Sequence, residues 1–168
     1  QYLLQNIIAH REDFRGQTFR FTVHEQADLT ALQGSGLSFE LAVGDLKDPA
    51  FIERAVCGAD VIFHIVSIRF SRAILQAALR HNVRRVILVH TTGMYSRFKT
   101  ASQKYAEIET QIQALMKGAP IALTILRPTM IYGRLGDQNI AVFIKMVDRL
   151  RLFPVVSGGK NRLQPVHA

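Results

Sequence analysis

The stretch "ADVIFHIVS", residues 59–67, decides the fold: it is apolar almost without a break, stops at a serine, and is too short for a buried helix. "RRVILVHTT" (84–92) and "IALTILRP" (121–128) repeat the pattern, and Pro128 biases Arg127 towards extended geometry. Between these runs the sequence predicts a helix from about 70 to 82 and a longer one over 100–117, ended by Gly118. Short apolar strands that do not alternate, separated by helices, predict a parallel sheet covered on both faces. The predicted class is therefore α/β, a doubly wound parallel sheet.

Upstream, "FRFTVHE" (19–25) alternates Phe19, Phe21 and Val23 as a strand should, and "SFELAVGD" (38–45) predicts a second strand ending at Gly44-Asp45. Asp48-Pro49 is an N-cap followed by proline at the first helical position, opening a helix that Gly58 closes. "QYLLQNIIAH" places apolar residues at 3, 4, 7 and 8, the spacing of an amphipathic helix. Past residue 133 come a polar loop, "GRLGDQN", a helix "IAVFIKMVDRL", and a tail with turn signals. The predicted division is an incomplete cofactor-binding domain over 1–134, with 135–168 beginning a substrate-binding region packed on it.

With 168 residues, 48% of them apolar, the chain can bury a core. Its apolar stretches fall well short of the ~20 residues that cross a bilayer, so no membrane partner is expected. The sequence shows no secretory leader, and a single cysteine, Cys57, forms no internal disulfide; cytoplasm is the expected location. The net charge of +8 raises nucleic-acid binding, but Lys and Arg are spread along the chain without a clustered footprint, so no specific nucleic-acid partner is expected. The charge equally suits a phosphate-bearing small molecule.

Ligands of open parallel sheets bind beyond the carboxyl ends of the strands. That singles out Gly44-Asp45-Leu46, His64-Ile65-Val66-Ser67, Thr91-Thr92-Gly93 and Arg127-Pro128-Thr129. Each alone reads as a turn or cap residue; their recurrence on successive strands points to a binding edge. His24, His64 and His90 end three strands, but their spacing matches no metal site and none is expected. Ser157-Gly-Gly-Lys160 is read as a surface turn, and Cys57 as a small buried hydrophobe. Tyr95 and Lys99 stand four apart, the spacing of a proton-transfer dyad, but they fall in the loop after a strand, which offers no shared helical face.

In order and spacing, "GDLKDPAFIERAVCGADVIFH", "VILVHTTGMYS" and "LTILRPTMIYG" resemble the extended and atypical short-chain dehydrogenase/reductase superfamily, in particular its NAD-dependent epimerase/dehydratase branch. The resemblance covers residues 15–168. It implies a Rossmann-like fold and a nicotinamide dinucleotide. It also implies hydride transfer with a small-molecule substrate, a nucleotide sugar or similar hydroxylated compound. Asp45 with Leu46 would touch the adenine, His64, Ile65, Val66 and Ser67 would lie along the cofactor, and Pro128, Thr129, Met130 and Ile131 would lie near the nicotinamide. Glu25, at the end of an earlier strand, favours NAD over NADP, because a carboxylate repels a 2′-phosphate. Thr91 would assist at the substrate oxygen.

The sequence departs from that pattern twice. No strand leading into G-x-x-G-x-x-G precedes the first helix, so a sheet without its first strand, and a fragment of a longer protein, are expected. The usual Tyr-x-x-x-Lys positions hold Ala101 and Tyr105, while Glu109 stands where a glutamate usually follows. Tyr95 is expected to line the cleft, and Lys104 is the next acid/base candidate. A catalytically silent dinucleotide sensor or scaffold is the alternative to an enzyme, and a homodimer is left open.

Overall fold

The computed structural model describes residues 2–95, 99–133, 140–153, 158 and 165–167. A short helix α1 (Tyr2–Ala9) and a single 3-10 turn lead into strand β1 (Thr18–Val23), which pairs in parallel with β2 (Ser38–Val43). The crossover between them, residues 24–37, is built from turns instead of a helix, with Gly34 and Gly36 at φ +71° and +73°. These are backbone angles that only glycine adopts freely.

A second parallel sheet has the order β3-β4-β5: β3 is Val61–His64, β4 Arg85–Val89 and β5 Ala122–Leu126. Helix α2 (Pro49–Val56) joins the two sheets, α3 (Ser71–Arg80) follows β3, and α4 (Lys99–Met116) follows β4. The cap read from the sequence is in place: Asp48 Oδ1 accepts from the Ala50 amide at 2.9 Å, with Pro49 opening α2. Asn82, at φ 55°, turns the chain out of α3. A two-residue parallel pair, β6 (Ile131–Tyr132) with β7 (Val166–His167), and helix α5 (Ile140–Leu150) complete the described residues. The short pair was not predicted, because two residues carry no periodicity. The loop at 134–139 and all of Ser157–Lys160 except Gly158 lie outside the described residues.

Strand alternation divides the second sheet into two faces. On one, Ile62, Val86, Leu88, Leu123 and Ile125 meet Ile52 and Val56 of α2, Ile74, Leu75, Ala77 and Ala78 of α3, and Ile112 of α4. The paired alanines of α3 are fully buried, which lets a neighbouring element approach closely. On the other face Val61, Phe63 and Leu126 are exposed. The strands thus alternate in burial although their sequences do not, because among the described residues three helices share one face.

Glu53 ties α2 to the end of α3 by accepting from Arg80 and from His81, whose Nε2 lies 3.0 Å away. Arg20 reaches from β1 to the Ala55 carbonyl at 2.9 Å, fastening the first sheet to α2.

Leu75 is wholly buried in this core, and Leu75→Ala is expected to cost about 2–5 kcal/mol. Gly44 fails differently: a Cβ there would fall within 2.7 Å of the buried Phe51 ring, so Gly44→Ala should cost about 1–3 kcal/mol through overpacking. Urea midpoints with unchanged m-values would check both.

Candidate active site and its buried support

Within each sheet the strands are parallel, so their carboxyl ends share one edge. Beyond the first sheet stand Glu25, exposed, and Asp45, whose Oδ1 accepts from the Lys47 amide at 2.9 Å and shapes the turn into α2. Leu46 beside it packs against the core. Beyond the second sheet lie the segment 64–67, Thr91 and the segment 127–131.

His64 is buried, its Nε2 2.7 Å from the Ser67 carbonyl, and this bond closes the loop after β3. Burial pushes the imidazole below its ordinary 6.5, opposed by the Ser67 carbonyl and reinforced by nearby His90. Ile65 and Val66 present apolar side chains that are 51% and 65% exposed at the sheet's carboxyl edge. Ser67 caps the following turn.

Thr91 is half-buried, and its Oγ1 accepts from the Gly93 amide at 3.0 Å. That acceptor bond leaves the hydroxyl hydrogen free to be given to another group. A Cβ at Gly93 would lie 3.2 Å from Thr91 Oγ1 and 3.7 Å from Cε2 of Tyr105, so the Tyr105 ring borders the same corner. Tyr95, 70% exposed, closes the 3-10 turn Thr92–Tyr95, whereas Lys99 opens α4; they occupy different elements and do not share a helical face. Lys104 is exposed, while Ser102, Glu109 and Ile112 form the buried stripe of α4. Pro128, Thr129 and Met130 are half-buried, and Ile131, 44% exposed, begins β6.

Beneath this edge runs a hydrogen-bonded chain that sequence reasoning did not assemble. Ser71 Oγ lies 3.0 Å from His90 Nε2, and His90 Nδ1 lies 2.9 Å from Glu109 Oε1. Arg127 Nε donates to the same Oε1 at 3.0 Å, and its second donor reaches Oε2. Ser71, His90 and Glu109 are all buried. Burial alone would raise the Glu109 carboxyl, but Arg127 and His90 together outweigh it and hold the carboxyl below its ordinary 4.5. Arg127 is raised in turn, chiefly by its bond to Glu109. Among the described residues no group of three His, Cys, Asp or Glu is placed to hold a metal, and Cys57 is exposed. The buried place expected for Cys57 is corrected: it follows the last residue of α2, where the chain turns outward.

The profile of the NAD(P)H-binding family matches residues 6–144, most of the chain. The chain belongs to this family. It has the fold of short-chain dehydrogenases/reductases. Vestitone reductase from alfalfa (Medicago sativa) superposes at a TM-score of 0.67 with 16% identity, over 99% of this chain and 64% of that one. Pen from Bacillus thuringiensis gives 0.69 with 14% identity over 86% and 51%. An NADPH-dependent quinone oxidoreductase from Escherichia coli, solved with NADPH, gives 0.59 with 13% identity over 88% and 50%. The chain thus spans between half and two thirds of these three proteins. No curated protein sequence matches it.

Glu109→Ala should destabilise the fold by about 3 kcal/mol, the low end for breaking a buried pair, because Arg127 retains some contact with water. The lowered pKa values of His64 and Glu109 both predict loss of stability in acid. The folded pKa of each lies below its unfolded value, so the stabilisation is complete above that value and is lost as pH falls through the folded one. Urea midpoints should therefore decline below about pH 6.5 through His64, and further below about 4.5 through Glu109. His64→Gln, which retains a donor for the Ser67 carbonyl, should flatten the first stage only.

Proposed function

We propose that this chain is the cofactor-binding part of an NAD(P)-dependent, epimerase/dehydratase-like oxidoreductase. Its substrate would be a nucleotide sugar or a similar hydroxylated compound. The observation that carries the reading is Thr91: a half-buried hydroxyl at the carboxyl edge of a parallel sheet, oriented by the Gly93 amide, in a chain of the NAD(P)H-binding family. When bound, the nicotinamide would accept or return a hydride at a hydroxyl-bearing carbon.

The residues present suit the two ends of such a cofactor. Ile65 and Val66 offer the apolar surface that a flat ring and ribose would cover, and Asp45 and Leu46 would stand at the adenine. Pro128 to Ile131 would flank the nicotinamide. No G-x-x-G-x-x-G occurs in the sequence to hold the pyrophosphate. Among the described residues the two sheets are not hydrogen-bonded to one another, and β1 and β3 each have one edge without a paired strand. A further parallel strand between these edges, with the phosphate loop behind it, would supply what the sequence lacks.

Thr91 would orient the substrate oxygen, and Tyr95 and Lys104 remain the acid/base candidates. Preference for NAD rests on the exposed carboxylate of Glu25 alone, so both cofactors belong in the assay. Residues 1–134 would bind the cofactor and 135–168 begin the substrate region; a reducing, cytoplasmic setting and self-association into a homodimer belong to the same reading. A silent dinucleotide sensor is the second reading. It is favoured by the composition of α4, where Ala101 and Tyr105 replace the usual dyad and Lys104 lies off the buried stripe.

Fluorescence titration with NADPH and NADH, followed by turnover on a panel of nucleotide sugars, tests both. Saturable binding with turnover that falls about 100-fold in Thr91→Val is the enzyme's result, the scale of losing one oriented hydrogen bond to the reacting oxygen. Binding without turnover on any member selects the sensor, and no binding removes both.

A further inference from the structure

Ser71, His90 and Glu109 reproduce the order hydroxyl, imidazole, carboxylate of a nucleophilic triad, yet Ser71 is fully buried and no substrate could reach it. The chain therefore acts inward. It joins four elements: the first residue of α3, the residue after β4, the middle of α4 and the residue after β5. Two of its members are the immediate neighbours of reaction-edge residues, since His90 precedes Thr91 and Arg127 precedes Pro128.

The carboxylate fixes the direction of the bond it receives from His90. Glu109, held as a carboxylate, can only accept, so the hydrogen of His90 is on Nδ1. Nδ1–H thus donates to Glu109, Nε2 shares a hydrogen bond with the Ser71 hydroxyl, and Arg127 answers the negative charge. One Glu109 oxygen serves both His90 and Arg127, so the ends of β4 and β5 are referred to a single point on α4. The His90 amide reinforces this by donating to the Leu126 carbonyl at 2.8 Å.

We infer that Glu109 is a positioning residue: its carboxylate locks His90 and Arg127, and through their backbones it sets Thr91 and Pro128-Thr129 relative to one another at the nicotinamide end of the site. The inference rests on the proposed function for the claim that these strand ends meet a dinucleotide. It assigns Glu109 no contact with substrate or cofactor.

The test compares the wild-type chain with Glu109→Gln, which keeps the shape and removes the charge, and with Ile112→Val, a core variant on the same helix outside the hydrogen-bonded chain. Nitrogen NMR of the wild type should show His90 with its hydrogen on Nδ1, and Glu109→Gln should lose that preference. At matched stability, amide exchange at Thr91 and Gly93 should be about 10-fold faster in Glu109→Gln than in Ile112→Val. NADPH affinity should fall about 10-fold while ADP-ribose, which lacks the nicotinamide, is held within about 2-fold, and Glu109→Asp should recover part of the loss. If Glu109→Gln does not fold, Ser71→Ala removes one hydroxyl from the far end and should give the same pattern at about 3-fold.

Exchange at Thr91 and Gly93 equal to that of the core variant would make the cluster structural only and overturn the inference. So would an equal loss, or no loss, of NADPH and ADP-ribose binding. If the wild type binds neither ligand, the proposed function fails and the role at the nicotinamide end fails with it. A wild type that binds both while Glu109→Gln is indistinguishable overturns the positioning role alone.

Discussion

A carboxylate taken out of water must be repaid by partners, and Glu109 is the place where this molecule meets that requirement. Its two oxygens take three hydrogen bonds, two from Arg127 and one from His90. The two donating residues follow the ends of different strands. The carboxylate can stay charged in the interior only if β4, β5 and α4 hold the relation that brings those donors together. The apolar core beneath, from Ile52 to Ile121, tolerates many packings of similar volume; the buried charge tolerates one.

The same constraint links the core to the exposed edge. Ser71 at the head of α3 is tied to His90, and His64 above it closes its own loop through the Ser67 carbonyl. Two of the buried polar groups thus adjoin the carboxyl edge: His64 precedes the exposed Ile65 and Val66, and His90 precedes the half-buried Thr91. A site that must hold a flat cofactor at a fixed distance from a hydroxyl gains from having its reference points on packed strands instead of on the loops themselves.

Much of the scaffold was legible because it is local. The Asp48-Pro49 cap, the glycine after α2 and the three apolar strand runs each state their structure within a few residues, and helices and strands appear where the patterns place them. What was not legible depended on distance. The open face of the second sheet escaped prediction because Val61, Phe63 and Leu126 are as apolar as their buried neighbours, and only the arrangement of helices separates them. Cys57 was expected inside from its residue type, whereas its place after the last turn of α2 puts it outside. Tyr95 and Lys99 were both placed in the loop after a strand, whereas Tyr95 closes a 3-10 turn and Lys99 begins α4.

The sequence by itself determined the class of fold and the family resemblance, because period, caps and motif order are written in consecutive residues. Only the tertiary structure decided that Ser71, His90, Glu109 and Arg127 are one unit. These residues lie 18 or 19 positions apart in succession, and no local pattern connects them. They find one another because a parallel sheet aligns the ends of successive strands, and because a buried carboxylate is stable only where those ends converge on it.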